Sequence, residues 1–257
     1  MIKLFKKIRR KDYNLSKRMW LDKDLSESDK ILYKNIFHQI TGAEFIDILN
    51  EKFVPFLESL NFKGSKNNFY KHNSPWIYTV NIFKDKYGGE CALNVGVHLD
   101  FIENTIDKLP IPSKFSVSDC IIDKSIMMDN DNPWYLFGKN SIEGHETVDI
   151  MIEMFKKKGI PFLSKFENYP IPFSDIEYND ILKPKNKFIQ YEITKDKLDW
   201  VHFHIFLAKV NFNIGNTDLA LKILEKAKND EYYAKRFEKY GMSPLLERIG
   251  KLIKNAR

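Results

Sequence analysis

Two alternating runs, "YTVNIFKD" and "CALNVGVHLDF", place Asn81, Asn94, His98 and Asp100 on one side of adjacent strands. An imidazole titrates near pH 7, so His98 there could act as a base or a hydrogen-bond donor, with amides beside it to orient a ligand. The alternative is a polar sheet face, wet or covered by a helix, with no chemistry at all. The other constellations are weaker. "HETVD" puts Asp149 where a zinc helix needs its second histidine. His145, Glu146 and Asp149 read instead as a solvated first helical turn, acidic where the helix dipole favours acids. A calcium loop beginning at Asp129 needs Gly at its sixth position and Glu at its twelfth, and the chain supplies Trp134 and Asn140. His202 and His204 are two apart on an expected helix and so face different ways. The chain has no nucleophile elbow, P-loop, dinucleotide fingerprint or Cys/His metal spacing. No metal or cofactor is therefore expected, no catalytic residue is assigned, and the four residues stand as binding candidates.

The elements that must position them are legible. The two runs flank Gly88-Gly89, which suits a two-residue hairpin loop. With Tyr87 and Glu90 bounding that loop, Tyr78 falls opposite Leu99, Val80 opposite Val97, Ile82 opposite Val95 and Lys84 opposite Leu93. The second face pairs Ile77 with Asp100, Thr79 with His98, Asn81 with Gly96 and Phe83 with Asn94. One face is apolar, with Cys91 on it as a core thiol, and the other is mixed. A slip of one residue would destroy that segregation. Upstream, Thr41 and Glu44 form a capping box ahead of an apolar stripe of Phe45, Ile48, Leu49, Phe53, Phe56, Leu57 and Leu60. Pro55 should bend or break that helix. "KGSKNNFYKH" follows, with a tight turn expected at Gly64-Ser65 and extended chain at Phe69 and Tyr70. A single Gly leading into a strand is no phosphate loop, which needs several glycines running into a helix. Later come a strand over Cys120–Met127 and a helix with Val148, Met151, Ile152 and Phe155 inward.

Charge and cysteine content limit the functional classes. The formal net charge is +6, from 41 basic and 35 acidic residues. Residues 1–18 hold eight of the basic residues and one acid, leaving 33 and 34 for everything else. The body is balanced, so nucleic acid is an improbable partner for it. In the tail, Met1, Leu4, Phe5 and Ile8 lie at helical spacing among lysines and arginines, a pattern suited to weak contact with an anionic membrane. Two cysteines are too few for a disulfide framework. Neither a signal peptide nor a membrane-spanning run appears, so a cytoplasmic protein is expected.

A helix ending "LNFKGSKNNFYKH", then "YTVNIFKD", then "CALNVGVHLDF", resembles the bacterial family of unknown function DUF4304. "FKKKGIPFLSKF" resembles its closing segment, and the likeness covers about residues 41–170. Many members carry Gly where this chain has Asn61, and Asn also tolerates a left-handed helix end. The resemblance implies a fold and no activity. Near the C-terminus, Leu207, Ala208, Gly215, Ala220, Leu224 and Ala227 match one tetratricopeptide repeat, with no second copy. A lone repeat must pack on something else, and the closing "SPLLERIGKLIKNAR" could cover it.

These readings define an α+β chain with an antiparallel sheet of at least three strands flanked by helices. Its parts are a basic tail (1–20), an α+β domain (21–170), a proline-containing linker or extended arm (171–195) and an all-helical C-terminal part (196–257). The expected function is a non-enzymatic module that binds another protein, immunity-type by analogy alone. The alternative is an enzyme using the polar face of the hairpin.

Overall fold

The structure is a computed structural model. It describes residues 40–85, 89–104, 108–128, 132–182, 186–193, 201–229, 248 and 251–255. The basic tail and the start of the candidate calcium loop at Asp129 lie outside those residues. The chain is α+β, as its sequence implies.

Helix α1, Gly42–Ser59, opens on the expected capping box: Thr41 N–H donates to Glu44 Oε2 at 2.7 Å, and Glu44 N–H donates to Thr41 Oγ1 at 3.2 Å. Pro55 does not break it. The helix is continuous, and Pro55 sits on its exposed side. It ends on Asn61 at φ 66°, with Phe62 N–H reaching Leu57 O and Asn61 N–H reaching Glu58 O. Those two bonds satisfy the last carbonyls in a Schellman arrangement, so Asn does here what Gly usually does.

Six antiparallel strands follow: β1 (Lys63–Ser65), β2 (Asn68–Asn73), β3 (Trp76–Lys84), β4 (Glu90–Leu99), β5 (Ile122–Ser125) and β6 (Trp134–Leu136). They pair in the order β1-β2-β3-β4-β5, with β6 also on β4. The first turn is not at Gly64-Ser65. Ser65 pairs with Asn68, so Lys66-Asn67 makes the two-residue turn, with Lys66 at φ 61°. The central hairpin is also registered differently from expectation. Val80 faces Val95, Ile82 faces Leu93 and Tyr78 faces Val97, because Asp85 N–H donates to Glu90 O and the pairing closes there rather than at Tyr87 and Glu90. A two-residue shift leaves every side chain on its original face. The apolar face is therefore as read: Trp76, Tyr78, Val80, Ile82, Cys91, Leu93, Val95, Val97 and Leu99 are all buried. β5 is shorter than the Cys120–Met127 expected.

Helix α2, Ser141–Met154, packs on α1 with Val148 and Met151 buried in the main core, and runs into a π-helical turn at Phe155–Gly159 and then α3, Ile160–Ser164. The wide turn directly precedes Pro161, whose ring crowds the carbonyl four residues earlier and which has no N–H to offer. The segment 171–195 is expected as a linker or extended arm, but its described residues pack against the core. They contain α4 (Tyr178–Leu182) and α5 (Asn186–Gln190), and Phe173, Ile176, Ile181, Phe188 and Ile193 are buried in the main core. Helices α6 (Val201–Asn213) and α7 (Thr217–Asn229) form an antiparallel pair around Gly215, φ 84°. Phe203, Phe206, Leu207, Ile223 and Leu224 join the same core.

Candidate functional site

The mixed face of the sheet divides into a covered half and an open half. In the covered half, Ile77, Phe115 and Cys120 form a small apolar cluster of their own. Cys120 Sγ lies 3.1 Å from Thr79 Oγ1, and a Cβ placed on Gly96 would meet that sulfur at 2.7 Å. Gly96 thus lets the segment after the short helical turn Val117–Asp119 lie flat on the strands.

His98 belongs to this covered half. Its ring lies 5.1 Å from that of Phe115 and 5.7 Å from that of Phe206 on α6. Ile121 N–H donates to Nδ1 at 3.2 Å, and Nε2 lies 2.9 Å from Ile102 O. Nδ1 is an acceptor here, so Nε2 carries the proton and donates it to Ile102 O. Burial lowers the imidazole pKa to about 4, against smaller opposing effects of the Ile102 bond and the Asp119 charge. His98 is a neutral brace between two loops. The void beside it, bordered by Glu103, Asp119, His202 and Arg248, is about 10 Å³, room for about one water.

The other three candidates separate. Asp100 Oδ2 accepts from Ser74 Oγ and lies 2.8 Å from His72 Nε2, at the end of the sheet. Asn81 and Asn94 stay together as directly opposed partners. They lie four residues along β4 from His98, about 13 Å at the rise of a strand. The structure thus joins Asn81 with Asn94 and keeps both apart from His98 and Asp100.

Those two asparagines centre a polar row that crosses five strands in register: Ser65, Asn68, Asn81, Asn94 and Ser125. Asn81 Nδ2 donates to Asn68 Oδ1 at 2.6 Å, and Ser125 Oγ donates to Asn94 Oδ1 at 2.7 Å. Ser65 and Asn68 are exposed and the other three half-buried. One step further along the strands lie Phe83, 54% exposed, and Trp134, with ring centroids 6.2 Å apart. At the β1–β2 end, Ser65, Asn68 and Tyr70 border a cleft of about 280 Å³ closed by Ser113 and Phe115. Ser65, Asn68, Ser125 and Trp134 were not identified from sequence. They share a face with Asn81 only once the turn is fixed at Lys66-Asn67 and β6 is placed on β4.

Elsewhere, Asp149 is paired to Lys52 at 2.8 Å and His145 approaches Glu51 at 3.9 Å, so the "HETVD" side chains do not converge. Among the described residues no group of three His, Cys, Asp or Glu side chains is placed to hold a metal ion, and no helix is long and apolar enough to cross a membrane.

Residues 53–165 match the model of a family described as a domain of unknown function, DUF4304. That span holds the second half of α1, all six strands, α2 and α3. It lies within the stretch whose motifs resemble the family. No curated protein and no solved structure matches the chain.

Proposed function

We propose that the protein is a non-catalytic binding module that docks a partner protein on the open half of the sheet's mixed face. The observation that carries this reading is the exposed Phe83 ring against half-buried Trp134, beside the Asn68–Asn81–Asn94–Ser125 row. Aromatic rings flanked by amides and hydroxyls supply contact area and directional hydrogen bonds, the ingredients of a protein interface. The row moves no proton: amides and hydroxyls do not titrate near pH 7. The enzymatic alternative relied on His98, whose two ring nitrogens are both engaged beneath Phe115 and Phe206. We further place α6 and α7 with the tetratricopeptide hairpins, on Leu207, Ala208, Gly215, Ala220, Leu224 and Ala227, and the chain among bacterial cytoplasmic proteins.

The test is affinity capture from the native host with full-length protein and with a Phe83→Ala/Asn94→Ala variant of unchanged melting temperature. A protein retained in stoichiometric amount by the wild type should be lost by the variant, since removing an interface anchor and a hydrogen-bonding amide costs more than about 1 kcal/mol together. Equal retention by both would remove this face as the docking surface.

A further inference from the structure

We propose that the cleft between the Lys66-Asn67 turn and residues 113–115 binds a free mononucleotide. This goes beyond partner docking and shares only Asn68 with the row that carries that reading. The cleft is rich in donors: the hydroxyls of Ser65, Tyr70 and Ser113, the Lys66 ammonium and the Asn68 amide. Asn68 Oδ1 already accepts from Asn81, so its NH₂ is what it presents to a ligand. Among the described residues no carboxylate lines the cleft. Lys63 and Lys114, each next in sequence to a lining residue, are exposed like Lys66. None of the three lysines is in an ion pair among the described residues. Three cations and four neutral donors with no acid call for an oxygen-rich anion, and phosphate accepts from such donors in any arrangement.

The walls add a second requirement. Tyr70 contributes a half-buried aromatic ring, and Phe115, buried and in contact with His98, backs the cleft. Rings of this kind stack on a base, an attraction that any base can satisfy. The volume, about 280 Å³, falls just below the ~300 Å³ at which small-ligand sites begin. It suits one base, one sugar and one phosphate. A strand would need positive charge continued beyond the cleft, and outside residues 1–18 the chain is balanced at 33 basic and 34 acidic residues.

The experiment is titration calorimetry of the full-length protein with adenosine 5′-monophosphate, adenosine, inorganic phosphate and a single-stranded oligoadenylate. The monophosphate should bind at millimolar concentrations or below, weaken with salt, and exceed both adenosine and phosphate about tenfold in affinity. Lys66→Glu with Lys114→Glu should reduce its affinity about tenfold or more, and Tyr70→Leu should bring it down to that of phosphate. Phe83→Ala should leave it unchanged, which separates this site from the docking surface. No saturable binding of the monophosphate, or binding indifferent to the charge reversals, overturns the site. Phosphate binding as tightly as the monophosphate overturns recognition of the base, and an oligoadenylate binding more tightly per site overturns the free mononucleotide.

Discussion

Two ionisable side chains give the protein opposing responses to pH. His98 has a pKa near 4 when folded, below its ordinary value of 6.5. The unfolded chain therefore takes the proton first. The stability tied to the neutral ring is fully present above pH 6.5 and is lost as pH falls toward 4, by about 3 kcal/mol in all. Glu90 behaves inversely. Burial, with the like charge of Asp85, raises its pKa from 4.5 to about 7. Its contribution is present below pH 4.5 and is lost as pH rises to 7. Thermal melts from pH 4 to 8 check both groups. The His98→Gln variant should be less stable than the wild type at pH 7 but decline less steeply toward pH 4. The Glu90→Gln variant should melt higher than the wild type at pH 8 and alike at pH 4. A His98→Gln acid limb as steep as the wild type's would assign that loss to other groups. The pattern around His98 identified its strand and face. It did not show that Ile121 and Ile102 come from two loops to hold both nitrogens, because those contacts join positions 98, 102 and 121 through backbone atoms that carry no residue signature.

At the scale of elements, what repeats every two or every 3.6 residues was legible, and what depends on loop length was not. The faces of β3 and β4 follow from alternation alone, whereas their register depends on whether the loop has two residues or four, and both choices give the same faces. Gly64 suggested a turn, yet the chain turns one residue beyond Ser65, with Lys66 taking the positive φ. Residues 171–195 read as a linker or extended arm because α4 and α5 are too short for a helical period. Their anchoring comes from single residues such as Phe173 and Phe188, each fully buried. Three substitutions test the elements as placed, with chemical denaturation as the measurement. Val95→Asp, at the centre of the buried sheet face, should cost several kcal/mol, because an unpaired charge there must be desolvated or neutralised. Gly96→Ala should cost about 1–3 kcal/mol, since its methyl would press on Cys120 and Thr79 within 3 Å. Asn61→Gly should be neutral or stabilising by up to about 1 kcal/mol, relieving the left-handed backbone at the end of α1.

At the scale of the molecule, one buried cluster runs from Phe45 on α1 through the sheet to Phe206 on α6 and Leu224 on α7. Calorimetry should therefore show one cooperative transition, with calorimetric and van't Hoff enthalpies in agreement. A chain truncated after residue 193 should lose that transition, because Phe203, Phe206 and Leu207 leave the core with it; a truncated protein that melts as sharply as the full chain would refute the single core. The continuity of the cluster also bears on how the protein is made. Trp76 on β3 is covered by Phe166 and Phe173, and the ring of His98 by Phe206. When β4 leaves the ribosome, more than a hundred residues remain to be translated before Phe206 arrives. At roughly 5–20 residues per second, the strands wait several seconds or longer with their apolar surface uncovered. A nascent chain in that state is a natural client for holding chaperones, and its yield should depend on them more than that of a protein whose sheet is closed by neighbouring helices alone.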